Sequence, residues 1–100
     1  MDATQVLQQF RVVPVVVINT QTGNIETPPD IITRGFLTGD DTEQLLSEAR
    51  DLVVSTLENS SVEEVTDSGL VKEKISTELR RFFRKRTQRR PMILPVVMEI

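Results

Sequence analysis

The sequence predicts an α+β domain of two layers, a three-stranded sheet with two antiparallel helices on one face. Three observations carry that prediction. Runs of β-branched residues bounded by proline or turn residues stand near both ends, from Phe10 to Thr20 and from Met92 to Glu99. Between them, two stretches place apolar residues at helical spacing, over residues 41–59 and 70–85. Two apolar helix stripes need one sheet face to cover, and the two-layer arrangement supplies it.

Each element has its own local reason. Phe10 to Thr20 is a strand by its valine content, although Pro14 cannot donate to a ladder and predicts an exposed edge or a bulge at that point. Asn19 to Asn24 is a turn in which Gly23 supplies positive φ. Ile25 to Leu37 then returns beside the first strand, interrupted at Pro28-Pro29-Asp30, with Gly35 read as a bulge or a close backbone approach. Asp41, with Gln44 three residues on, forms a capping-box pattern before the first helix. Leu45, Ala49, Leu52, Val53 and Thr56 make its buried stripe.

Residues 60–66 read as a polar loop, and Asp67 or Ser68 caps the second helix. Val71, Ile75, Leu79, Phe82 and Phe83 form the buried stripe of that helix, and Pro91 stops it. Met92 to Glu99 is then expected as a single buried strand. Residues 1–9 carry only a weak pattern and are expected to be a flexible start or linker remnant, leaving 10–100 as the domain.

Composition narrows the chemistry. One hundred residues make one small domain, and folding at this size buries roughly 65% of the chain's surface. The chain has no cysteine and no histidine. Disulfides, thiol chemistry and every histidine-based triad or metal site are therefore excluded. The acids Glu43, Glu48, Asp51 and Glu58 are spread over four turns and read as a solvated helix face rather than a cation site. No signal-peptide pattern accompanies the first apolar run, so a cytoplasmic location is expected.

The net charge of −3 conceals a division. Residues 1–70 carry three arginines and twelve acids, whereas residues 71–91 carry nine Lys or Arg and two Glu. Cations near a helix C-terminus complement its dipole, which accounts for two or three of them and not for seven between Arg80 and Arg90. Arg84, Lys85, Arg86, Arg89 and Arg90 are the candidate contacts to RNA phosphates. If the helix ran that far, Arg86 and Arg90 would share one side and Lys85 and Arg89 another, both away from Ile75, Leu79 and Phe82. The plainer alternative is a solvated or protein-contacting face.

The tail from Arg81 to Ile100, with Arg90-Pro91-Met92-Ile93-Leu94-Pro95 at its centre, resembles the end of bacterial-type ribonuclease J. Val15-Val16-Val17-Ile18, the Thr22-Gly23 turn and Pro29-Asp30-Ile31-Ile32-Thr33-Arg34-Gly35-Phe36 are similar to the same C-terminal domain, in one register over residues 10–100. One departure is that no tyrosine follows Phe36, which removes an aromatic able to stack on a base.

The resemblance implies a non-catalytic domain of a zinc-dependent 5′-to-3′ exo- and endoribonuclease. Catalysis in that family lies in metallo-β-lactamase and β-CASP domains whose zinc ligands are histidines and aspartates. It implies no cofactor for this segment and zinc only in the parent enzyme. The implied partners are the parent's own catalytic domains and further copies in a homo-oligomer, with RNA at the basic segment and no membrane. The alternative is an autonomous module that binds RNA weakly and without sequence preference through residues 80–90. A stand-alone enzyme is disfavoured, because no two carboxylates have a convincing site spacing.

Overall fold

The computed structural model describes residues 10–35 and 42–100. The readings for residues 1–9, for the strand end at Phe36 and Leu37, and for the Asp41 cap lie outside the described residues. The elements follow the order β1 (Arg11–Ile18), β2 (Asp30–Arg34), α1 (Thr42–Glu58), α2 (Val62–Val65), α3 (Ser68–Thr87), β3 (Met92–Ile93) and β4 (Val96–Glu99). The architecture is α+β in two layers, as expected, with a mixed four-stranded sheet and an additional one-turn helix.

β1 is the central strand. β2 pairs with it antiparallel, with Val13 opposite Ile32, while β3 and β4 follow one another along its other side, both parallel to it. β1 is thus open on one edge at Pro14, as one of the two expectations had it, although it is the central strand and carries no bulge there, and the expected single strand from Met92 to Glu99 is two short ones. One cause explains both features. The Val12 carbonyl accepts from the Leu94 N–H at 2.8 Å, so alternation aims the nitrogen of Pro14 at that same side. With no N–H there, the ladder is interrupted opposite Pro14, where Leu94-Pro95 separates β3 from β4.

The β1–β2 connection is held by Asn19. Its side-chain oxygen accepts from the backbone N–H groups of Gln21 and Thr22, at 2.9 and 3.2 Å. Gly23 has φ 76°, and a Cβ added there would lie 3.2 Å from a methyl of Val62, so both backbone angle and space call for glycine. Ile25 makes only an isolated bridge to Ile18 before Pro28 and Pro29 intervene.

The helices cover one face of the sheet. Leu45, Ala49, Val53 and Leu57 of α1 recur every fourth residue and are buried, as are Val71, Ile75, Leu79 and Phe83 of α3. They meet Phe10, Val12, Val16 and Ile18 of β1 and Ile31 of β2. Leu52 and Phe82, expected in the stripes, flank this core half-buried. Phe10 and Phe83 pack edge to face with ring centroids 5.9 Å apart.

The segment read as a loop contains α2. Ser61 and Glu64 form a complete capping box: the Ser61 hydroxyl accepts from the Glu64 N–H at 3.2 Å, and the Glu64 carboxylate accepts from the Ser61 N–H at 2.9 Å. This turn buries Val65. Asp67 caps α3 by accepting from the N–H of Leu70.

Candidate interaction surfaces

The C-terminal half of α3 divides its cations between two sides. A helix advances about 100° per residue, so Arg84 and Arg86 point about 160° apart. Arg86 faces α1: its Nη1 donates to Glu48 Oε1 at 2.8 Å, and its guanidinium lies 5.5 Å from the centre of the Phe82 ring. The hydrogen bond from Arg86 holds the Glu48 carboxyl below its ordinary value, against partial desolvation. Arg86 thus shares the Phe82 side, which corrects the expectation that it stands clear of that residue.

α3 does not persist to Arg90. Thr87 is its last residue, Gln88 adopts the left-handed conformation at φ 62°, and its N–H donates to the Arg84 carbonyl. The Thr87 hydroxyl donates to the Phe83 carbonyl and accepts from the Arg89 N–H, so the chain turns off the helix there. Arg89 and Arg90 therefore follow no helical spacing. Arg90 returns beside the outer side of α3, where Thr77, Arg80, Arg81, Arg84, Lys85 and Arg90 line one groove.

Of the five residues selected from the sequence, the structure brings Arg84, Lys85 and Arg90 together. Arg86 is drawn to α1, and Arg89 does not line the groove. Arg80 and Arg81 join it. Their signal was the fourfold spacing of Arg80 with Arg84 and of Arg81 with Lys85.

The other end of α3 is tied by Lys74. Its ammonium lies 2.7 Å from Glu64 Oε2 and donates to the Ser60 hydroxyl at 3.2 Å. The hydrogen bond from Lys74, joined by the Ser61 N–H, brings the Glu64 carboxyl down to about 2. Lys74 is thereby occupied within the fold.

The second surface is the sheet face turned away from the helices. Val13, Val15 and Val17 of β1 lie on it, beside Ile32 of β2. Register adds Val96 beside Val15 and Met98 beside Val17, and alternation adds Met92, Leu94 and Ile100. These last five are between 40% and 64% exposed, so the last segment is not the buried core strand its composition suggests. Ile93 and Val97, of the opposite parity, pack against the core. Asp30, Arg11 and Arg34 border the same face, with Arg11 and Arg34 paired at one end.

Neither surface offers a metal centre. Zinc requires imidazole, thiolate or converging carboxylate donors. The chain has neither histidine nor cysteine, and among the described residues no three acidic side chains gather as ligands. The donor set does not fit zinc. Among the described residues, no helix is long and apolar enough to cross a membrane.

The family model for the ribonuclease J C-terminal domain matches residues 11–100. Ribonuclease J2 of Bacillus subtilis is 29% identical over 99 residues, covering 99% of this chain and 18% of that protein. Ribonuclease J 2 of Staphylococcus epidermidis is 31% identical over 88% of this chain and 16% of its own length. The corresponding protein of Streptococcus pyogenes serotype M3 is 38% identical over 68% of this chain and 12% of its own. The chain therefore spans less than a fifth of the length of these relatives.

Proposed function

The chain belongs to the ribonuclease J C-terminal domain family, and on that premise we propose that it is the non-catalytic assembly domain of a ribonuclease J-like exo- and endoribonuclease. In this reading hydrolysis, with its zinc, resides in metallo-β-lactamase and β-CASP domains of a cytoplasmic parent that processes and degrades RNA. The absence of histidine and cysteine here supports that division of labour. The domain's own task is to hold copies of the parent together.

The uncovered sheet face carries the proposal. Monomeric domains rarely leave a continuous apolar patch this broad in water, and such patches mark interfaces. Its charges select a second copy as the occupant. Arg34 and Asp30 lie four residues apart on β2 and on the same face. A two-fold axis between two such faces, running across the strands, sets each copy's Arg34 over the other's Asp30. Crossing the strands at the level of Val13 and Ile32, the same axis sets Val13 over Val13 and Val96 over Met92. The Arg34–Asp30 pair is thus complementary to its own image.

Sedimentation of the 100-residue chain tests this reading. The wild-type chain is expected to form a concentration-dependent dimer, and Val96→Lys with Met98→Lys to give a monomer that keeps its helical circular dichroism. A wild-type chain that stays monomeric at high concentration, or a double variant that still associates, would overturn it.

A further inference from the structure

The groove along the outer side of α3 is separate from the sheet face and from the Arg86–Glu48 contact. We propose that it binds the phosphodiester backbone of single-stranded RNA, with Arg80, Arg84, Lys85 and Arg90 as the phosphate contacts. Naming RNA as the polyanion rests on the ribonuclease J reading above; the groove itself does not depend on self-association.

Three features support the proposal. First, among the described residues Arg80, Arg84, Lys85 and Arg90 form no ion pair, and Arg81 only approaches Glu78 at 3.6 Å. Lys74 and Arg86, on other sides of the same helix, each have a carboxylate at 2.7–2.8 Å. The groove keeps its positive charge, although like charges four apart on a helix repel. A bound polyanion relieves that repulsion.

Second, the spacing suits a repeating charge. Arg80 with Arg84, and Arg81 with Lys85, stand one turn apart, and Arg90 lines the same groove from the returning chain. A row of cations along one axis matches consecutive phosphates better than it matches a single anion.

Third, the lining favours a nucleic acid over a protein. A protein interface is anchored by large apolar or aromatic residues in a desolvated centre, whereas the residues lining this groove are Arg80, Arg81, Arg84, Lys85, Arg90 and Thr77. It has no aromatic platform for bases either: Phe82 lies under Arg86, on the side facing α1, and Phe83 is buried. Contacts therefore reach the backbone and not the base, and binding is indifferent to sequence.

The groove revises the basic segment in a way an experiment can separate. Arg86 belongs to the helix pair, so its removal should leave RNA affinity nearly unchanged. Removal of Arg80, Arg84, Lys85 and Arg90 should weaken it at least tenfold.

The test is fluorescence anisotropy with labelled oligouridine and oligoadenosine, titrated with the 100-residue chain. Four phosphate contacts on a single strand predict a salt slope near −2.8, a loss of about 50-fold in affinity between 50 and 200 mM salt. Arg80→Gln, Arg84→Gln, Lys85→Gln and Arg90→Gln combined should weaken binding at least tenfold while keeping the helix, since glutamine is a good helix former. Arg86→Gln should bind within about twofold of wild type, and the two oligonucleotides should bind alike. Should the fourfold variant misfold, Arg84→Gln alone should reduce the salt slope by about 0.7.

Wild-type binding that ignores salt, equal affinity of the groove variants, or binding of a polyglutamate peptide in place of RNA would overturn the proposal. Sedimentation of the same samples distinguishes this failure from failure of the assembly reading. A chain that dimerises without binding RNA sinks the groove alone, and a monomer that binds RNA sinks the assembly alone.

Discussion

The two faces of the sheet are nearly equal in apolar composition and opposite in what covers them. Val12 and Val16 are fully buried beneath α1 and α3, whereas Val13, Val15 and Val17 remain half-buried on the other side. The same residue type in the same strand thus serves the domain's own core on one parity and an open surface on the other. Burial is decided by the helices, which have only two apolar stripes to satisfy and can cover one face. The apolar second face is therefore not needed by the domain's own core, and under the proposed function it serves assembly.

The largest effect expected from breaking this contrast is at Phe83. Phe83→Ala empties a buried site packed against Phe10 and should cost about 3–5 kcal/mol, read by urea denaturation. Net stability of a small domain is only about 5–15 kcal/mol, so a large share of the chain would lose its cooperative transition. A shift of less than about 1 kcal/mol would mean that the covered face is not the core.

Adjacent valines give a sharper comparison. Val16→Thr buries a hydroxyl without a partner and should cost about 1–3 kcal/mol. Val15→Thr, measured where the chain is monomeric, should stay within about 0.5 kcal/mol of wild type. Equal costs at the two sites would erase the distinction between the faces.

The helix layer is stitched near both ends, and those stitches predict smaller effects. Arg86→Gln removes a partly exposed ion pair and a ring contact, and should lower stability by about 0.5–1 kcal/mol in a thermal melt. Salt should weaken the wild-type advantage. At the other end, the Glu64 pKa in the folded state lies below its ordinary value of 4.5, at about 2. Its stabilisation is therefore complete above about 4.5 and is lost as pH falls through the window toward 2. Melting temperature should drop less steeply across that window for Glu64→Gln than for wild type; equal slopes would show that the Lys74 contact does not form in solution.

Much of the fold was legible because single residues dictate it. Gly23 marked the turn, Asp67 the start of α3, and the fourfold recurrence of Val71, Ile75 and Leu79 its buried side. Pro14 marked the open edge in β1, but its effect on the last segment was missed: a missing donor in the central strand breaks the partner, and only pairing shows which partner. The Ser61–Glu64 box was legible in the sequence as a serine followed three residues later by glutamate, yet the polarity of the segment masked it. The exposure of Val96 and Met98 was not legible, because a run apolar on both parities does not say which side the helices take. The composition of the basic groove was half legible. Arg84, Lys85 and Arg90 were selected, while the helical spacing that joins Arg80 to Arg84 was present and not drawn on; the left-handed Gln88 that ends the helix, and so sets Arg90 apart from Arg86, has no clear mark in the sequence.

The prolines have a further consequence at the sheet margin. The N–H groups of Met92, Leu94 and Ile100 turn inward to β1, so those of Ile93, Val97 and Glu99 turn outward. Pro91 and Pro95 hold the remaining outward positions and have no hydrogen to offer. A free strand margin is ordinarily a template on which further chains add without limit. Here the template is missing alternate donors and ends beside the charge of Glu99. Whatever covers its open face, the domain thus has a margin that resists growth into a fibre.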